Sequence, residues 1–171
     1  HLTFKNAKGQ SVTGLFVRPK ADGVYPVALV LHGLRSSKEE MFQYVGRDLV
    51  KRGIACLLLD AELHGERREP GTQPGAGPIF LQILKTTVGD YRLVLDYLTT
   101  RKDIDPKRIG LLGYSMGAMT GGILAGVEER VSASALCVGG DLIQPLLAQM
   151  PESFRPVAEA VAPANYVGHI S

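Results

Sequence analysis

The 171 residues include only two cysteines, Cys56 and Cys137, each set inside an apolar run. Two thiols cannot build a disulfide scaffold, and in such surroundings both read as small core hydrophobes rather than redox or metal residues. Charge of one sign is equally scarce: 19 Lys and Arg stand against 17 Asp and Glu, a formal net of +2. No stretch gathers the roughly five or six like charges that mark a nucleic-acid or membrane arm. The longest apolar runs, such as Val27 to Leu31 and Ile54 to Leu59, fall far short of the roughly 18 residues needed to span a bilayer. After the first candidate parallel strand comes His32-Gly33-Leu34-Arg35-Ser36-Ser37, which lacks the glycine-rich turn of a dinucleotide-binding unit. These absences leave a small-molecule substrate as the expected partner, with no nucleic acid, no membrane span, no metal and no organic cofactor.

What is present is a chain that is 45% hydrophobic and 21% charged, with mean hydropathy near zero. That composition and length suit one domain over residues 1–171 with a substantial core. The 20 glycines and 10 prolines fall mostly at the ends of apolar runs, as short turns between strands and helices require. Leu2 to Lys5 and Val12 to Arg18 flank a turn at Asn6-Ala7-Lys8-Gly9-Gln10 and read as an opening hairpin. Pro26 to Leu31, Ile54 to Leu59, Arg108 to Gly113 and Val131 to Val138 are continuous apolar runs, the pattern of strands buried on both faces. Between them, Ser37 and Glu40 have capping-box spacing ahead of Met41, Val45 and Leu49. Phe80, Leu84, Val88, Tyr91, Leu95 and Leu98 line one face of a long helix, and Met116 to Val127 forms a small-residue helix. Pro70 to Pro78 reads as a loop, and Glu66-Arg67-Arg68-Glu69 as a solvated charged stretch that pairs with itself. The alternation of strand and helix predicts an α/β fold, a doubly wound, mostly parallel sheet behind an antiparallel hairpin.

Ligands of such sheets bind beyond the carboxyl ends of the strands. There stands Gly113-Tyr114-Ser115-Met116-Gly117, a G-x-S-x-G that joins a strand to a helix. The tight turn forces its central residue into strained backbone geometry, and the glycines remove side chains that would collide. Ser115 is thereby lifted to a helix N-terminus, whose partial positive charge favours developing negative charge. The plain alternative is an N-cap serine. At the end of the first buried strand, Leu31-His32-Gly33-Leu34 lets backbone approach the same place. The N–H groups of Leu34 and Met116 are the expected oxyanion donors. His32 and His64, each in a loop just after a strand, read as residues that order those loops through hydrogen bonds.

These residues resemble the α/β-hydrolase superfamily, and within it the dienelactone-hydrolase-like and acyl-peptidase-like esterases. The likeness rests on Leu31-His32-Gly33, Asp60 to Arg67, Asp103 to Ile109 and the serine elbow, in the family's order and spacing. It implies ester hydrolysis through an acyl-enzyme on Ser115, with Leu34 and Met116 as the oxyanion hole. Acyl-peptidase or thioesterase chemistry would use the same elbow, and a non-catalytic binding module is the reading from another class.

The resemblance also implies an acid and a histidine after Ser115. The only later histidine is His169, ahead of the position the family uses. The expectation is therefore that acid and base lie outside this chain and that the sheet lacks its C-terminal strands. A second chain or an oligomer would then cover the edge left at Val131 to Val138. An internal triad of Ser115, Asp141 and His169 is the alternative. The simpler role for Asp141 is to cap Leu142 to Met150.

Overall fold

The computed structural model describes residues 1–72, 74–75 and 77–170. Its sheet has six strands in the order β1-β2-β4-β3-β5-β6. β1 (Leu2–Lys5) and β2 (Ser11–Val17) form the antiparallel hairpin, and β2 also pairs antiparallel with β4 (Ala55–Leu59). β3 (Tyr25–Leu31), β4, β5 (Ile104–Tyr114) and β6 (Ala133–Cys137) run parallel. β5 is longer than the apolar run Arg108 to Gly113 suggests, because Ile104 also pairs with Tyr25 across a register shift.

The unbroken apolar runs of β3 and β4 have a direct cause. Val27, Leu29, Leu31, Ala55, Leu57 and Leu59 join the core that contains Leu84, Tyr91, Leu95 and Leu124. The alternate residues Ala28, Val30, Cys56 and Leu58 pack with Met41, and Val45 and Leu49 rest against them. One face of the sheet is therefore covered by α3 (Gly77–Thr99) and α4 (Met116–Val127), and the other by the helix over residues 38–51. That helix consists of α1 (Lys38–Met41), a π-helical segment (Phe42–Gly46) and α2 (Arg47–Lys51). Ser37 caps it by accepting from the Glu40 N–H at 3.3 Å, but the capping box is only half formed. Glu40 turns instead to accept from the Ser36 hydroxyl at 2.7 Å.

Four sequence expectations need correction. Val131 to Val138 does pair with β5, but every residue of β6 is exposed, so it is an uncovered edge strand and not a buried one. Cys137, on that strand, is exposed too; only Cys56 is a core thiol, its pKa pushed up to about 12 by burial. The stretch 66–69 does not pair with itself, since Arg67 reaches inward to Asp90 at 2.6 Å with both side chains buried. The loop expected over Pro70 to Pro78 gives way to α3 at Gly77, and Gln73 and Ala76 within it lie outside the described residues. No helix among the described residues is long and apolar enough to cross a membrane.

Candidate active site

The chain passes from β3 to β4 on one side and then returns across β3 to β5, which opens a switch point at the carboxyl ends of β3 and β5. Ser115 lies there, between β5 and α4, with φ 53 and ψ −116. A non-glycine residue in that region carries strain on the order of 1–3 kcal/mol, which neighbouring structure must hold in place. Backbone bonds supply the hold: the Ser115 N–H donates to Cys137 O at 2.9 Å, and its carbonyl accepts from Ala118 and Met119 at 2.9 and 3.2 Å. Both flanking glycines are sterically required. A Cβ on Gly113 would lie 2.3 Å from the Gly117 carbonyl oxygen, and one on Gly117 would lie 2.3 Å from that of Leu31. The N-cap alternative is not what the geometry shows, because the Ser115 side chain makes no capping bond.

The loop after β3 meets this turn closely, since a Cβ on Gly33 would be 3.5 Å from the Ser115 Cβ. Leu34 and Met116 line the same cavity as Ser115. Neither of their N–H groups has a protein acceptor among the described residues. The cavity is about 550 Å³ and otherwise walled by apolar side chains, including Leu81, Met119, Leu142, Leu146 and Phe154.

His32 is fully engaged elsewhere. Its Nδ1 is 2.7 Å from Gly33 O and its Nε2 accepts from the Ala61 N–H at 3.0 Å, so the ring is the neutral Nδ1–H tautomer and ties the β3 loop to the β4 loop. Burial lowers its pKa to about 4, against partial compensation from the Gly33 bond. His64 donates from Nδ1 to Glu62 O at 2.8 Å, as expected of a loop-ordering residue, and burial lowers its pKa as well. Its Nε2 is buried without a protein partner among the described residues.

A buried ion pair that the sequence did not signal holds up this end of the sheet. Lys38 and Asp60 are in direct contact, both with fully buried side chains. Asp60 also accepts from the Lys38 and Glu66 N–H groups, each at 3.0 Å. Burial opposes its charge, but these donors outweigh it and hold the carboxyl below its ordinary range. Gly65, at φ 52, has no room for a side chain because a Cβ there would fall 2.1 Å from Asp60 Oδ1.

The proposed internal triad does not assemble. Asp141 accepts from the N–H groups of Ile143, Gln144 and Ala164 at 2.8, 2.9 and 2.8 Å, which is the capping role. His169 is exposed just beyond α6 (Ala164–Val167), its N–H bonded to Tyr166 O. Among the described residues no group of three or more His, Cys, Asp or Glu could hold a metal ion.

The model of FrsA-like esterases matches residues 1–160. The chain is 33% identical over 124 residues to the 2,6-dihydropseudooxynicotine hydrolase of Paenarthrobacter nicotinovorans, covering 70% of this chain and 30% of that protein. It is 30% identical over 145 residues to the multifunctional-autoprocessing repeats-in-toxin of Vibrio cholerae, covering 85% of this chain and 3% of that one. The chain therefore spans less than a third of either relative. Among solved structures, an acetyl xylan esterase from Paenibacillus sp. R4 superposes with a TM-score of 0.76 at 18% identity, over 99% of this chain and 64% of that one. That likeness shows the fold alone, and the fold is the α/β hydrolase expected from the elbow and the strand order. Taken with the match over residues 1–160, the chain belongs to the FrsA-like esterase family.

Proposed function

We propose that the chain carries the nucleophile and oxyanion hole of a serine esterase that cleaves small carboxylic esters. The observation that carries this reading is Ser115 held at φ 53 on the wall of an apolar cavity of about 550 Å³. A strained serine without a capping bond is free to present Oγ to a ligand.

In the reaction, Ser115 Oγ attacks the ester carbonyl carbon as its proton passes to a histidine base outside these 171 residues, oriented by an acid also outside them. The carbonyl oxygen becomes an oxyanion that accepts from the Leu34 and Met116 N–H groups, both without protein acceptors among the described residues. Removing one such donor typically costs about 3 kcal/mol of transition-state stabilisation. Collapse breaks the bond to the alcohol oxygen, which leaves with the proton from the base. Water then attacks the acyl-enzyme, its proton going to the same base. As the acyl bond to Ser115 Oγ breaks, the base returns that proton to Oγ and the acid product departs. The apolar wall suits an uncharged hydrocarbon portion of the ester.

The test is intact-mass analysis of the full-length protein mixed with p-nitrophenyl butyrate and quenched early. A butyryl adduct mapped to the peptide that holds Ser115 supports the reading. An adduct on another residue, or hydrolysis with no adduct in a variant slowed at deacylation, overturns it.

A further inference from the structure

A second cavity, about 380 Å³, lies beside the first and has the opposite character. Residues adjacent in the chain line the two. Leu34 lines the Ser115 cavity while Arg35 lines the second, and Gly75 lines the first while Pro74 lines the second. Where the first is apolar, the second is lined by Arg35, Arg68, Ser36, Thr72 and His64.

Most carboxylates around this cavity are engaged, and Glu69, next to Arg68 in the chain, forms no ion pair among the described residues. Asp60 and Glu66 face Lys38, Asp90 faces Arg67, and Glu40 takes the Ser36 hydroxyl. Arg35 and Arg68 form no ion pair among the described residues, so two cationic residues line the cavity without a direct ion-pair partner. Guanidinium groups match carboxylate and phosphate oxygens in bidentate geometry. A further observation concerns His64, which is 2% exposed. With Nδ1 donating to Glu62 O, its bare Nε2 is an acceptor that has no protein donor among the described residues. Ser36 and Thr72 give their hydroxyl protons to Glu40 and to Glu69 O, so their oxygens too are left as acceptors.

We infer that this cavity binds an anionic group, a carboxylate or phosphate, that also bears a hydroxyl, and that it does so as a subsite of the ester substrate. The two arginines take the anionic oxygens, and the acceptors take the hydroxyl proton. Since Leu34 and Arg35 are adjacent in the chain, an ester with its reacting carbonyl at Leu34 can extend its charged end past the loop. The substrate class is then an ester of mixed character, with one apolar part and one anionic part. The substrate half of this inference rests on the Ser115 reading; the anion site itself does not.

The experiment has two measurements on the full-length protein. The first is calorimetric titration with inorganic phosphate, with malate and with the neutral malamide. Phosphate or malate binding with Kd below about 10 mM, with no binding of malamide, is expected. Arg35→Gln with Arg68→Gln should weaken it at least about tenfold, as should Arg68→Glu alone. Both arginines are exposed, so the fold should tolerate their replacement. Absence of anion binding, or equal affinity in the variants, overturns the site. The second is the ratio of kcat/KM for mono-p-nitrophenyl succinate to that for p-nitrophenyl butyrate. The ratio should fall about tenfold in the double variant. An unchanged ratio overturns the substrate assignment. If Ser115 is not the nucleophile, the titration still reads the anion site, so the two failures are distinguishable.

Discussion

The carbonyl oxygen of Leu31 occupies the space where a side chain at Gly117 would begin, with only 2.3 Å between it and a Cβ built there. The clash partner is backbone in a central strand and cannot swing aside. Gly117→Ala should therefore force α4 away from β3 and destabilise the fold by about 3 kcal/mol or more. Gly53→Ala, at a turn whose Cβ meets nothing within 4 Å but whose φ is 84, should cost only about 1 kcal/mol. Urea denaturation of both variants checks the contrast. Equal losses would mean that the close approach of α4 is not what fixes the elbow.

Asp60→Asn would leave the fully buried Lys38 ammonium without its closest counter-charge. Breaking a buried pair by removing one partner typically costs about 3–5 kcal/mol. Glu39 and Glu66, at 2.9 and 3.4 Å from Lys38 Nζ and about half exposed, offset part of that. The expected loss is about 3 kcal/mol by chemical denaturation. A loss under about 1 kcal/mol would place the pair among surface ion pairs in its energetics.

His32 sets a pH dependence of stability. Its pKa falls from 6.5 to about 4 on folding. Between those values the unfolded chain binds a proton that the folded ring refuses, so stability is full above pH 6.5 and is lost as pH falls towards 4. One such group should lower stability by about 2 kcal/mol between pH 7 and pH 5. His64 is shifted the same way and adds to the effect. Asp60 and Glu62, both lowered from ordinary carboxylate values, lose their contributions only at lower pH. Denaturation of wild type and His32→Gln at the two pH values should show a smaller difference in the variant. An equal difference would remove His32 from the account.

Tyr91 joins β3 and β4. Its hydroxyl accepts from the Leu59 N–H at 3.1 Å and donates to Val30 O at 2.9 Å, fully inside the core. Tyr91→Phe would orphan a buried donor and a buried acceptor, at about 2 kcal/mol in total. Faster amide exchange at Leu59 in the variant would report the lost bond; unchanged exchange would contradict it.

The elements that could be read from the sequence are those whose cause is local. Apolar runs marked β3 and β4 because helices cover both their faces, and the glycines at 113 and 117 marked the elbow because close approach leaves no alternative residue. The hydrogen-bonding roles of His32, His64 and Asp141 followed from their places just after strands. What escaped depends on partners distant in the chain. Lys38 and Asp60 are 22 positions apart and meet only once β3, α1 and β4 are packed. Arg67 looked solvated because nothing near it in sequence reveals Asp90, and burial of that carboxyl, which raises its pKa, makes the guanidinium contact its compensation. Cys137 and β6 are apolar by composition, but exposure depends on what packs beyond the edge, and composition carries no information about that. The two adjoining cavities, one apolar and one cationic, likewise arise from loops brought together by the sheet.

The central claim is that Ser115 is an activated nucleophile, and labelling by a fluorophosphonate probe tests it most directly. The full-length protein should be labelled, with the adduct on Ser115, and Ser115→Ala should abolish labelling while its thermal unfolding still shows a folded protein. Labelling that persists in Ser115→Ala, or a folded wild type that never reacts, would contradict the account.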